Sequence, residues 1–97
     1  MSSALEYLKT IKEVVKELPK TSFNMGVWLK PKYYEYEKVY DKNKFIGCAI
    51  GHSIAQHNWN IKIDILNQNI YFNDSMNYFA ISQFLGVSLK TTHIVFD

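Results

Sequence analysis

Apolar residues recur at three- and four-residue steps near the start of the chain, which predicts an amphipathic helix over residues 3–18. Ser3 and Glu6 form a capping-box pattern at its start. Pro19 has no amide hydrogen and disfavours helical backbone in the residue before it, so the helix should end there. Its predicted apolar face consists of Leu5, Leu8, Ile11, Val15 and Leu18.

The same periodicity predicts two further helices, one over about residues 46–57 and one from a cap at Asn73 or Asp74 to Leu85. Gly47 and Gly51 stand four residues apart in the first of these. A glycine inside a helix costs about 1 kcal/mol relative to alanine. Two at this spacing therefore predict a neighbour packed very close to the helix backbone.

Apolar and polar residues alternate in residues 33–40, 61–65 and 91–96, which predicts three strands. Residues 70–72 form a possible return arm of a hairpin with the second strand. The order of these elements predicts an α+β fold over residues 1–97. We expect one small domain with about three helices packed on a small, partly antiparallel sheet.

The amino-acid composition predicts the size class and cellular location of the protein, and says less about its chemistry. Ninety-seven residues with 47% apolar residues are enough for one domain with a core. The lone Cys48 cannot form an internal disulfide, and the sequence shows neither a signal peptide nor an apolar run near the ~18 residues of a membrane span. We therefore expect a cytoplasmic protein with no membrane partner. All eleven basic residues are lysines, so the guanidinium fork that commonly recognises phosphate is missing.

Cys48 and His52 are the strongest candidates for catalytic chemistry. They stand four residues apart on a predicted helix, and a thiol activated by an imidazole is the simplest thiol nucleophile. A papain-like alternative pairs Cys48 with His93, oriented by Asp74 or Asp97, but no oxyanion-stabilising group can be named. We expect both Cys48 and His52 to fill the interior, and a thiol enzyme is the alternative hypothesis.

Metal and nucleic-acid binding are weaker hypotheses. The residue types suit zinc at Cys48, His52, His57 and His93, but no paired ligand motif is present, so we expect no metal and no cofactor. Lysines and tyrosines interleave in residues 30–44, a pattern that suits single-stranded nucleic acid. Acidic residues cancel much of that charge, so nucleic acid stays an alternative. The basic residues concerned are Lys30, Lys32, Lys38, Lys42 and Lys44.

Three short motifs resemble a family of small bacteriophage and bacterial proteins that has no established activity. Residues 45–51 read Phe-Ile-Gly-Cys-Ala-Ile-Gly, residues 84–87 read Phe-Leu-Gly-Val, and residues 93–97 read His-Ile-Val-Phe-Asp. The family has a Cys-Ala-Leu-Gly helix start and a Trp-Asn-Asp strand end. His52 stands where the family has a small residue, and the Trp-Asn-Asp ending is replaced. The resemblance implies a phage or mobile-element origin and gives no catalytic assignment.

Aromatic residues carry the functional prediction. Fifteen of them in a chain this short leave more apolar surface than a small domain normally hides, and Trp and Tyr are common interface anchors. We therefore predict a non-catalytic accessory protein that binds a host or phage protein, with a homodimer as a further use of the same surface. The predicted binding residues are Trp28, Tyr33, Tyr34, Tyr36, Tyr40 and Trp59.

Overall fold

The computed structural model describes residues 4–33 and 39–96, which form four α-helices and two small antiparallel sheets. This confirms the α+β class. A 3-10 turn at Lys20–Ser22 follows the first helix. In chain order the elements are α1 Ala4–Glu17, β1 Leu29–Pro31, β2 Phe45–Gly47, α2 Ala49–His57, β3 Lys62–Asp64, β4 Asn69–Phe72, β5 Ser75–Met76, α3 Tyr78–Leu85 and α4 Leu89–Phe96.

The first helix is confirmed, and it ends two residues before Pro19. Its buried face is rotated from the predicted one, because Ile11 and Val14 are buried while Leu5 and Val15 are exposed. Ile11 belongs to the main core, and α1 packs against α2. Only some of the apolar residues of α1 are therefore buried against other elements.

Two short sheets replace the single predicted sheet. β1 pairs antiparallel with β2, and the register places Leu29 opposite Gly47. β3, β4 and β5 form a meander, which confirms the predicted hairpin arm. Gln68 and Asn73 take left-handed backbone conformations in its two turns. The strand predicted over residues 33–40 is not seen at residues 33, 39 and 40, and residues 34–38 lie outside the described part.

Three predicted elements differ from the observed ones. The second helix begins at Ala49 because Phe45–Gly47 pairs with β1. The third begins at Tyr78, after an N-cap at Asn77, because Ser75–Met76 pairs with β4 as β5. The predicted closing strand is the helix α4, so the described residues form a fourth helix. The Ser88 hydroxyl accepts a hydrogen bond from the Thr91 amide at 3.1 Å, which caps the start of α4. This local capping outweighs the strand preference of the β-branched residues that follow.

The core lies where α1, α2 and α3 meet β4. α3 packs on β4 and β5, and α4 packs on α3. The buried residues of this core are Ile11, Cys48, Ile50, Ile54, Ile61, Ile70, Ala80, Ile81 and Leu85. The loop before β1 and the start of α2 lie at the edge of this core, and the candidate site is found there.

Candidate binding pocket

The backbone at Trp28 lies directly on the start of α2. A methyl group added at either Gly47 or Gly51 would overlap the carbonyl oxygen of Trp28. The Cys48 amide donates to the carbonyl of Val27 at 2.9 Å. This confirms the close neighbour predicted from the two glycines, although Gly47 belongs to β2 and only Gly51 lies inside the helix.

The Gln68 side chain is hydrogen-bonded to the backbone of Trp28 and Leu29. Its Oε1 accepts from the Trp28 amide at 2.8 Å, and its Nε2 donates to the carbonyls of Leu29 at 3.0 Å and Ile65 at 2.7 Å. The side-chain amide therefore makes the bonds that a neighbouring strand would make. No helix or strand periodicity in the sequence indicates this role of Gln68.

An open pocket of about 370 Å³ lies between the loop before β1, the start of α2 and α3. The buried Ile11 and Ile50 form its base, and the rings of Trp28 and Tyr78 line it. None of the described residues that line the pocket carries a formal charge. Its volume lies within the range of ligand-binding pockets, ~300–1,000 Å³.

The edge of the pocket is apolar and exposed to solvent. Phe23 and Met25 line it and keep 38% and 50% of their surface exposed. Neither residue was predicted as a binding residue, because residues 20–32 follow no helix or strand period. The available signal was the apolar character of residues beside Gly26 in an irregular segment.

Cys48 also lines the pocket, but the residue is buried, with 5% of its surface exposed. The Sγ donates to the Trp28 carbonyl at 3.7 Å. Burial raises the pKa of this thiol, and hydrogen bonds from the amides of Gly51 and Ile50 offset that rise only in part. The thiol is therefore held in its protonated, weakly nucleophilic form.

His52 is buried and makes contacts away from Cys48. Its Nε2 lies 2.7 Å from the Ser22 carbonyl, which can only accept, so Nε2 carries the proton. Nδ1 then accepts from the Tyr40 hydroxyl at 2.6 Å. Burial lowers the pKa of the imidazole, the bond to Ser22 opposes this, and Lys32 lowers it further. The neutral ring links three segments and is not bonded to the Cys48 thiol.

We expect Cys48 in the folded protein to react with an aromatic disulfide reagent at least about 100-fold more slowly than in urea. The reason is that a buried thiol with a raised pKa reacts only when the local structure opens. The measurement is the labelling rate at neutral pH with and without urea, and Cys48→Ser gives the background. Equal rates in both conditions would contradict the burial of this thiol.

The structure places the predicted aromatic binding residues that it describes at separate sites. Trp28 lines the pocket. Tyr40 is bonded to His52, and burial followed by the charge of Asp41 raises the pKa of Tyr40 to about 12. Trp59 is half-buried and packs edge-on to Tyr7, with 4.9 Å between ring centroids. Tyr33 is 77% exposed, and Tyr34 and Tyr36 lie outside the described residues.

The lysine–tyrosine segment and His93 are described only in part. Lys30 is exposed, and the Lys32 ammonium donates to the Thr21 hydroxyl at 3.2 Å. Lys38 lies outside the described residues. His93 belongs to α4 instead of a strand, and its side chain also lies outside the described part. The structure therefore brings no described base to Cys48.

The chain matches no protein-family model, no curated protein and no solved structure. Across residues 4–33 and 39–96, no helix has the length and apolar character needed to cross a membrane. In the same described part, no three His, Cys, Asp or Glu side chains are grouped as a metal ion would require.

Proposed function

We propose that the protein is a non-catalytic binding module that takes an apolar side chain of a partner protein into this pocket. The observation that carries the proposal is an uncharged pocket whose exposed edge is formed by Phe23 and Met25. Burying apolar surface drives most protein association, at roughly 25 cal/mol per Å². The pocket supplies a recess for one anchor, and the exposed edge supplies surface around it.

A protein partner fits this arrangement better than a small molecule. A small molecule inside the pocket leaves the outer surfaces of Phe23 and Met25 in water, whereas a protein covers them together with the recess. Interfaces commonly have such a form, with one buried anchor surrounded by contacts that exclude water. Of the predicted binding residues that the structure describes, Trp28 lines this recess.

The protonated thiol of Cys48 supports a non-catalytic role, as do the two hydrogen bonds that occupy both ring nitrogens of His52. We take the partner to be a host or phage protein encountered in the cytoplasm. The resemblance of residues 45–51 and 84–87 to a phage family supports this choice, as does the lone cysteine. A homodimer and single-stranded nucleic acid stay predictions of lower rank, since the pocket itself favours neither.

A matched pair of substitutions in α2 tests the proposed function. Peptides are selected from a display library on the wild-type protein, and their affinities are then measured for Ala49→Leu and Ala55→Leu. Ala49 lines the pocket and Ala55 does not, although both are half-buried in one helix. We expect Ala49→Leu to weaken binding at least about tenfold, because the larger side chain fills the recess, and Ala55→Leu to change it less than about threefold.

Thermal unfolding of both variants shows whether each is folded at the assay temperature. Loss of affinity in a folded Ala49→Leu supports the proposal. A library that yields no binder would contradict it, as would selected peptides that bind both variants as tightly as the wild type. If Ala49→Leu does not fold, Val27→Leu at the edge of the same pocket replaces it.

A further inference from the structure

We propose that the pocket selects an uncharged aromatic side chain as its anchor, in preference to an aliphatic or charged one. This inference rests on the proposed function, because it names the chemistry of the partner at that same site. It follows from three properties of the pocket: its volume, the groups that line it, and the absence of a charged side chain among its described lining residues.

The volume is sufficient for a ring. An apolar cavity of about 150 Å³ holds a benzene molecule. The pocket has about 370 Å³, which leaves room for a ring together with the methylene and backbone that attach it to a partner chain. A small aliphatic side chain would leave part of this space unfilled, and unfilled space forfeits dispersion contacts.

The lining favours aromatic contacts. The Trp28 and Tyr78 rings lie 5.7 Å apart at 67°, so the pocket is bordered by an edge-to-face pair. A third ring can join such a pair in the offset or edge-on arrangements that aromatic groups prefer. Met25 lines the same space, and thioether sulfur makes favourable contacts with ring edges.

Two polar side chains of the lining are already bonded within the protein. The Cys48 thiol donates to the Trp28 carbonyl, and the Gln68 amide donates to the carbonyls of Leu29 and Ile65. No charged residue of the described part lines the pocket. A lysine or glutamate anchor would therefore lose its hydration without gaining a counter-charge, and such transfers are strongly unfavourable.

The test uses three single-residue probes: N-acetyl-phenylalaninamide, N-acetyl-leucinamide and N-acetyl-lysinamide. Each is titrated into the ¹⁵N-labelled protein while amide shifts are followed by NMR. We expect the phenylalanine probe to shift the amides of Gly26, Trp28 and Ile50 and to bind at least about fivefold more tightly than the leucine probe. The lysine probe should leave these amides unshifted, and Ala49→Leu should abolish the response while Ala55→Leu preserves it.

The outcomes separate this inference from the proposed function. Tighter binding of the leucine probe, or shifts that avoid the pocket, would overturn the aromatic preference. If library peptides depend on Ala49 but anchor through an aliphatic residue, the proposed function stands and the aromatic preference fails. If the phenylalanine probe occupies the pocket and no peptide depends on Ala49, the aromatic site stands and the protein-binding function fails.

Discussion

Gly51→Ala is expected to lower the free energy of unfolding by about 3 kcal/mol. The added methyl would overlap the Trp28 carbonyl oxygen, and the next nearest atoms are the Trp28 carbonyl carbon at 2.6 Å and the Leu29 Cβ at 3.3 Å. These are backbone atoms or lie beside the backbone, so a side-chain rotation cannot relieve the overlap. The loop before β1 or the helix α2 has to move. Urea denaturation followed by circular dichroism measures the loss.

Whether Gly51→Ala lowers or raises the free energy of unfolding shows whether the overlap with Trp28 exists. Without the overlap, alanine would stabilise the helix by up to about 1 kcal/mol because glycine is a poor helix former. Gly26→Ala is the matched control, since its nearest neighbour is the exposed side-chain oxygen of Asn24 at 3.1 Å. We expect it to change stability by less than about 0.5 kcal/mol. A Gly51→Ala protein as stable as the wild type would refute the close approach of Trp28.

His52→Ala is expected to cost about 3 kcal/mol of stability at neutral pH. The substitution empties a fully buried site and removes the donor to the Ser22 carbonyl. It also removes the acceptor of the Tyr40 hydroxyl. Loss of less than about 1 kcal/mol in urea denaturation would show that the imidazole does not link these segments.

The pH dependence of that loss has a defined direction. Burial lowers the pKa of His52 below its ordinary 6.5, so below this pH the unfolded chain takes up a proton more readily than the folded one. The stability that the neutral ring contributes is therefore present above pH 6.5 and falls as the pH drops. The stability difference between wild type and His52→Ala should shrink between about pH 7.5 and 5. A difference that grows over this range would contradict the assigned neutral ring.

Local pattern was sufficient to predict α1, the end of α3, the β3–β4 hairpin and the close packing at Gly51, because each depends on periodicity or on one residue type. It failed at residues 91–96, where alternating β-branched residues indicated a strand. Strand preference reflects a pleated, half-buried setting more than an intrinsic backbone tendency. Gly86 ends α3, and the Ser88 cap then begins another helix, which packs on α3.

The candidate site was much less accessible to sequence reasoning. Trp28 was predicted as a binding residue by its type alone, while Phe23, Met25 and Tyr78 were missed. The bond from the Trp28 amide to the Gln68 side chain joins residues forty positions apart. No periodic pattern encodes such a pairing, because it depends on how separate elements pack after they form.

Five stretches of chain, from Ile11 in α1 to Tyr78 in α3, share in lining the recess. No excised peptide can form it, and a protein truncated before α3 would lack Tyr78, one of the three aromatic residues in its described lining. A ligand of this recess therefore binds the folded protein and does not bind a nascent or unfolded chain. Titration with a ligand for this recess is consequently also a measure of the fraction of molecules that have reached the native state.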